Sequence, residues 1–228
     1  MDFFAESFGI ALTLIRDLDV DMLQIVWVSV YTTTISVLLA SMIGIPIGVA
    51  VGIGRFFGRR VLITLLNTLM AMPTVVIGLL VYGMLSRQGP LGDWGMLFSP
   101  AAIIIGQTVL AIPIVANYTM AAINGADKRI VPTVLTLGGG RRQAFWQLLL
   151  EVRFGVMAAV IAGFGRVIAE VGVAMMLGGN IRAYTRTMTT AIALDTSMGE
   201  FSFALALGIV LMTVALMVNL LLNLLQHR

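Results

Sequence analysis

The chain has 228 residues, of which 59% are hydrophobic and only 11% charged, with a mean hydropathy of +1.02. Soluble domains carry about 25% charged residues, so the composition is that of an all-α integral membrane protein and leaves no room for a soluble catalytic domain. Cysteine is absent, which excludes disulfides, thiol catalysis and thiolate metal sites. The pI of 9.8 does not point to nucleic acid, because the basic residues cluster at membrane boundaries, where they set topology.

The N-terminus begins Met1-Asp2 and carries Glu6, unlike the basic start of a signal peptide. Residues 1–24 contain a short apolar stretch, too short to cross a bilayer. It reads as a segment lying at the interface or packed against the bundle. Residues 25–225 form the membrane domain, and 226–228 a tail. Five runs are long enough to cross as helices: Ile25–Gly54, Val61–Leu85, Ala101–Ile123, Phe154–Leu177 and Phe201–Leu225. A lone strand would leave its backbone unpaired in lipid.

Five crossings put the termini on opposite sides. Arg55, Arg59, Arg60, Lys128, Arg129, Arg141, Arg142, Arg153 and Arg228 fall on one side; Arg16, Arg87, Arg182 and Arg186 fall on the other. The positive-inside rule places the first group and the C-terminus in the cytoplasm and the N-terminus outside. Gly44, Gly48, Gly52, Gly54, Gly163 and Gly165 permit close helix packing. Pro46, Pro73 and Pro113 each remove a helical hydrogen bond within a span.

The longest polar interruption is residues 124–153, cut by Gly138-Gly139-Gly140 and rich in bases. It predicts a helix near Ile130–Leu137, a turn, and a second helix from Arg141. The chain has no phosphate-binding loop, so if ATP is used another chain binds it. The only histidine is His227, and no His/Cys cluster is available to hold a metal. In the fourth run Arg166 and Glu170, four apart, are expected on one helix face near mid-bilayer. Such groups avoid lipid; they read as a structural ion pair, as part of a solute path, or as both. Beyond Gly179-Asn180, Arg182 and Arg186 face outside, either solvated or touching a soluble partner.

The 124–153 loop resembles the cytoplasmic loop of bacterial ABC importer permeases. Thr136-Leu137-Gly138 stands at the glycine of that pattern, although the EAA positions read Pro132-Thr133-Val134 and the Leu-Pro reads Leu150-Glu151. Ala71–Gly78 and Gly89-Pro90-Leu91-Gly92 resemble signatures of the molybdate, tungstate and sulfate permeases. So do Gly165–Gly172, Gly179-Asn180-Ile181 and Thr185-Arg186-Thr187. Within that group the chain looks most like the tungstate-specific permeases, since the 186–192 run and Glu151–Gly155 match there.

The resemblance implies a type I ABC importer permease fold in a bacterial or archaeal inner membrane. It implies a homodimeric pore for an oxyanion, most like tungstate, with molybdate, sulfate or ion-coupled secondary transport as alternatives. The partners would be a second permease copy, cytoplasmic ATPase subunits that bind ATP and Mg, an extracytoplasmic tungstate-binding protein, and lipid. The chain itself would be no enzyme and hold no cofactor. The ATPase would be met by Thr136, Leu137, Gly138, Gly139, Arg141, Arg142 and Phe145. Arg166, Glu170, Pro73 and Asn180 would line the path. Arg182 and Arg186 would meet the binding protein.

Overall fold

The computed structural model describes residues 2–17, 19–54 and 56–226. Arg55, His227 and Arg228, and with the last two most of the expected tail, lie outside them. Among the described residues there are eleven α-helices and no strand: α1 (Asp2–Arg16), α2 (Val20–Ile53), α3 (Arg59–Ala71), α4 (Thr74–Leu85), α5 (Pro100–Gly125), α6 (Ile130–Thr136), α7 (Arg141–Glu151), α8 (Arg153–Ile168), α9 (Gly172–Gly178), α10 (Met188–Met198) and α11 (Phe201–Gln226).

The core is the contact of α2 with α5. A Cβ on Gly44 would lie 3.1 Å from Val115 Cβ, one on Gly48 2.4 Å from the Ala116 carbonyl, and one on Gly52 2.8 Å from Ile123 Cγ2. The same offset of about seventy residues recurs higher up, where Ser36 Oγ meets Gln107 Oε1 at 3.1 Å. A constant offset means that α2 and α5 run parallel, with the glycines letting the backbones nearly touch. Parallel neighbours require the chain to cross back between them, and α3 with α4 make that crossing. The pair is bent by 100°, because Met72 and Pro73 are both extended and Pro73 has no N–H to continue the ladder. Pro73 therefore forms an elbow rather than a kink inside a span, whereas Pro46 and Pro113 stay inside unbroken helices.

The fourth crossing runs antiparallel to α5. A Cβ on Gly155 would meet Ala122, one on Gly163 would meet Val115, and one on Gly178 would meet Ile103. Along α5, Ile103 to Ala122 is roughly 29 Å at 1.5 Å per residue, so α8 and α9 together complete the crossing. This span is not the continuous helix expected from Phe154 to Leu177. It breaks at residues 169–171, between α8 and α9. The first span begins at Val20 rather than Ile25, its N-terminus capped by the Asp19 carboxylate, which accepts from Met22 N–H at 3.0 Å. α1 packs on α11, and its buried Ala11 joins Met22, Ile25, Ile168, Met188, Ala191, Ala206 and Leu207 in one apolar cluster.

One helix was not expected. α10 lies in the stretch read as an outer loop. Thr187 and Thr190 form a reciprocal cap: Thr187 N–H donates to Thr190 Oγ1 at 3.0 Å, and Thr190 N–H donates to Thr187 Oγ1 at 3.4 Å. Ser29 Oγ on α2 accepts the Met188 N–H at 2.7 Å, which seats α10 against the bundle.

The packing register makes a test. Gly48→Val has no room against the Ala116 carbonyl and Thr119, so overpacking is expected to cost about 3 kcal/mol and to lower the melting temperature of the detergent-solubilised protein. Gly165→Ala, where nothing lies within 4 Å, is expected to leave the melting temperature unchanged or raise it. Equal behaviour of the two variants would refute the assigned α2–α5 contact.

Candidate functional site

Two helix breaks meet near the middle of the bundle. A Cβ on Gly172, the first residue of α9, would lie 3.1 Å from Val75 Cγ2, 3.2 Å from Thr74 Oγ1 and 3.3 Å from Glu170 Oε1. The α8–α9 break therefore sits against the elbow at Pro73. Val167, just before the break, packs beside Ala111, close to the midpoint of α5.

Glu170 holds this junction together. Its side chain is 3% exposed. Oε2 accepts from Arg166 Nη1 at 2.9 Å, and Oε1 accepts from the Gly172 and Val173 N–H groups at 2.9 and 3.4 Å. Its main-chain carbonyl accepts from Thr189 Oγ1 of α10 at 2.8 Å. One residue thus joins α8, α9 and α10 and satisfies backbone donors that the break leaves free, as lipid-depth backbone requires. Arg166 and Glu170 do pair as their spacing suggests, but not on one helix, since α8 ends at Ile168. Glu170 reaches back from the break. The side chain of Arg166 is 46% exposed, on a surface shared with exposed Gly165 and Ala169.

Asn180 follows α9 in a left-handed conformation, φ 51°, and its amide donates to the Thr190 carbonyl at 3.4 Å. The structure brings it to α10, at the far end of α9 from Pro73, Arg166 and Glu170. Arg182 is ion-paired with Asp21, and Arg186 is half-buried beside Asp195. Burial pushes the Asp195 carboxyl above the usual carboxylate range; Arg186 pulls it down and Glu200 pushes it up. The sequence signal for Asp195 as a site residue is indirect: Thr187 and Thr190 at capping spacing mark the start of the helix that carries it.

At the opposite end, α6 and α7 form a helical hairpin. Gly139 N–H donates to the Val134 carbonyl at 2.9 Å and Gly138 N–H to the Leu135 carbonyl at 3.2 Å. Gly138 has φ 84°. This is the double closure that favours glycine after a helix C-terminus. Gly139 has no space for a side chain, since a Cβ would lie 2.6 Å from Val134 Cγ1. Gln143 Oε1 accepts the Gly140 N–H at 2.9 Å and starts α7. The hairpin leaves apolar groups in the open: Leu137 is 82% exposed and Trp146 63%, with Leu135 and Phe145 also exposed. Arg141, Arg142 and Thr136 are exposed around them. A cavity of about 820 Å³ is lined by Val134, Arg142, Phe145 and Trp146.

Glu170 separates clasp from charge. Glu170→Ala removes both the cap and the pair, and is expected to cost on the order of 3 kcal/mol. Glu170→Gln keeps an acceptor for Gly172 N–H and is expected to cost about 1 kcal/mol. Thermal unfolding of the two variants in detergent measures the difference. Equal losses would show that Oε1 does not cap α9.

Residues 44–228 match the family described as the binding-protein-dependent transport system inner membrane component. The chain is 35% identical over 227 residues to the tungstate uptake system permease protein TupB of Peptoclostridium acidaminophilum, covering all of both chains. It is 36% identical to the TupB of Campylobacter jejuni, over 96% of this chain and 92% of that one. Its fold is similar to a chain in the crystal structure of a bacterial ABC transporter involved in the import of the acidic polysaccharide alginate. That match has a TM-score of 0.74 at 18% identity, over 97% of this chain and 83% of that one. With its bundle of long apolar helices and bent pairs, the chain belongs to the family of inner membrane components of binding-protein-dependent transport systems.

Proposed function

We propose that this chain is the permease subunit of an ATP-driven importer of a tetrahedral oxyanion, tungstate, and that two copies enclose the path. The observation that carries the reading is Arg166. A half-exposed arginine side chain at mid-depth cannot rest in hydrocarbon, so the surface bearing Gly165, Arg166 and Ala169 faces a second copy and the wet path between them. A cation there draws a dianion in. Glu170, pinned to Arg166 and to the α9 N-terminus, weakens the hold and favours passage over storage. Pro73 shapes the wall opposite, through the elbow that seats Thr74 and Val75 against Gly172. Similarity over nearly the full length to two tungstate permeases supports the choice of cargo; molybdate, a dianion of nearly equal size, is the alternative.

The end carrying α6 and α7 is the basic one, with Arg59, Arg60, Lys128, Arg129, Arg141, Arg142 and Arg153, and we place it in the cytoplasm. Its exposed Leu135, Leu137 and Phe145 suit burial in a groove of an ATPase, and the hairpin carries the force of ATP-driven closure into α5 and α8. The chain has no residues for the hydrolysis, so ATP and Mg belong to that partner. The acidic end faces outside, where the 179–187 loop presents Arg182 and Tyr184 to a binding protein that delivers the anion.

Proteoliposomes holding permease and ATPase, fed with the loaded binding protein, test this reading. ATP-dependent uptake is expected, strongest for tungstate and unaffected by collapse of ion gradients. Uptake that persists without the ATPase would point to a secondary transporter. Gly138→Val forces a β-branched residue into the left-handed region, a strain of about 1–3 kcal/mol, and is expected to uncouple ATP hydrolysis from uptake. Full coupled uptake by this variant would remove the turn from the coupling route.

A further inference from the structure

At the acidic end the connection between α4 and α5 folds around a cavity of about 640 Å³, whose lining includes Leu85, Ser86, Arg87, Gln88, Leu97 and Phe98. The connection is built to keep its shape. Gly89 N–H donates to the Ser86 carbonyl at 2.7 Å, Leu91 N–H to the Met84 carbonyl at 3.0 Å, and Gly92 N–H to the Gly89 carbonyl at 3.1 Å. Gly89 and Gly92 have no room for a side chain, against the carbonyls of Gly83 and Ser86 respectively. Phe98 holds a left-handed backbone, φ 61°, a strain that lasts only where the surroundings fix it. Its ring meets Tyr82 edge-on, with centroids 6.2 Å apart, and a Cβ on Gly179 would lie 2.9 Å from Phe98 Cδ1. The cavity therefore adjoins one end of α9, whose other end is the Glu170 junction.

Arg87 is the uncommitted charge of this site. Arg182 is ion-paired with Asp21, and Arg186 is half-buried beside Asp195. Arg87 and Gln88 are both exposed, and neither side chain has an ion pair or hydrogen bond among the described residues. Asp93, the one acid of residues 86–99, is exposed as well and does not pair with Arg87. Ser86 Oγ already donates to the Gly83 carbonyl at 3.2 Å. The cavity thus offers one guanidinium and one amide beside apolar Leu85 and Leu97. Trp94, 62% exposed, and Phe98, 43% exposed, stand next to it. A free arginine and open aromatic rings around a preformed recess are the makeup of a protein-binding hot spot. A tetrahedral dianion would leave most of the volume and the apolar lining unused, whereas a carboxylate on an apolar stem fills both.

We propose that this cavity receives a Glu or Asp side chain from a surface loop of the solute-binding protein. The carboxylate accepts from Arg87 and Gln88, its stem lies against Leu85 and Leu97, and apolar neighbours on the same loop cover Trp94 and Phe98. The family to which the chain belongs depends on a binding protein. The inference rests on the importer reading above, and it adds a docking point on the α4–α5 connection to the one on the 179–187 loop. Because the connection is already rigid, docking there loses little to the ordering of loops and side chains.

The test is surface plasmon resonance of the tungstate-loaded binding protein on the permease–ATPase complex in phosphatidylcholine nanodiscs, with variants that co-purify with the ATPase. Arg87→Gln is expected to weaken binding about tenfold, the scale of one charge-assisted hydrogen bond, and to flatten its dependence on salt. Arg16→Gln, which removes the same charge from α1, is expected to change binding by less than about twofold. Arg87→Glu is expected to lose docking, and reversal of a single Glu or Asp of the binding protein to Arg to restore it. The proposal is overturned if Arg87→Gln and Arg16→Gln act alike, as they would through net charge alone, or if no single reversal rescues Arg87→Glu. Docking that survives in the Arg87 variants also overturns it: loss of tungstate binding without the binding protein would then give the cavity to the cargo, and loss of retained phosphatidylglycerol in native mass spectrometry would give it to lipid. A wild-type complex that does not bind the loaded binding protein at all would remove the importer reading itself, and this docking point with it.

Discussion

The close parallel approach of α2 and α5 is the constraint on which the rest of the bundle depends. In lipid there is no hydrophobic force to drive helices together, so association rests on how nearly their backbones can touch. Gly44, Gly48 and Gly52 bring α2 against the Ile112 and Ala116 carbonyls and the Ile123 side chain. The polar residues between these helices do not disturb the contact. Thr32, Ser36 and Thr108 return their hydroxyls to carbonyls one turn back at 2.7 Å. Once two helices run parallel at contact, the chain between them has to cross the bundle, and α3 and α4 do so with an elbow.

The elbow and the α8–α9 break are expensive for the same reason, and their proximity resolves both. Neither segment can leave backbone donors facing hydrocarbon. Glu170 supplies acceptors for the start of α9 while its own carbonyl takes the Thr189 hydroxyl. Gly172 is small enough to sit against Thr74 and Val75. A charge is kept at mid-depth because it is part of this repair, and its partner Arg166 is left half in the open. Structural clasp and half-exposed charge are therefore two properties of one ion pair.

The two ends of the bundle differ in how they meet their surroundings. At the basic end a rigid hairpin, closed by the glycine turn at 138–140, holds out Leu137 and Trp146. At the acidic end the connections are tied down. Phe98 N–H donates to the Leu177 carbonyl at 2.9 Å, and Asn180 and Ala183 sit in left-handed conformations at φ 51° and 60°. Strain of this kind persists only where the surroundings hold it, here by Thr185 Oγ1, which accepts from Ile181 N–H at 3.0 Å and bonds the Gly178 carbonyl.

The sequence by itself determined the apolar crossings, the basic clustering around the 124–153 loop, and the glycine turn with its flanking helices at Ile130 and Arg141. Each follows from local composition or backbone chemistry: twenty apolar residues have to become helix in lipid, and three glycines have to end one. It also put Arg166 and Glu170 within reach of each other. Only the tertiary structure decided that α2 and α5 are parallel, that the span at Pro73 turns by 100°, and that Glu170 caps α9 from a break instead of lying on a continuous helix. The run Phe154–Leu177 carries no proline to announce that break; it exists because Gly172, Thr74 and Thr189 converge there from three segments distant in sequence. The same holds for α10 and Asp195, whose burial depends on α1, α2 and α11 closing around them, a property of the packed chain and of no local stretch.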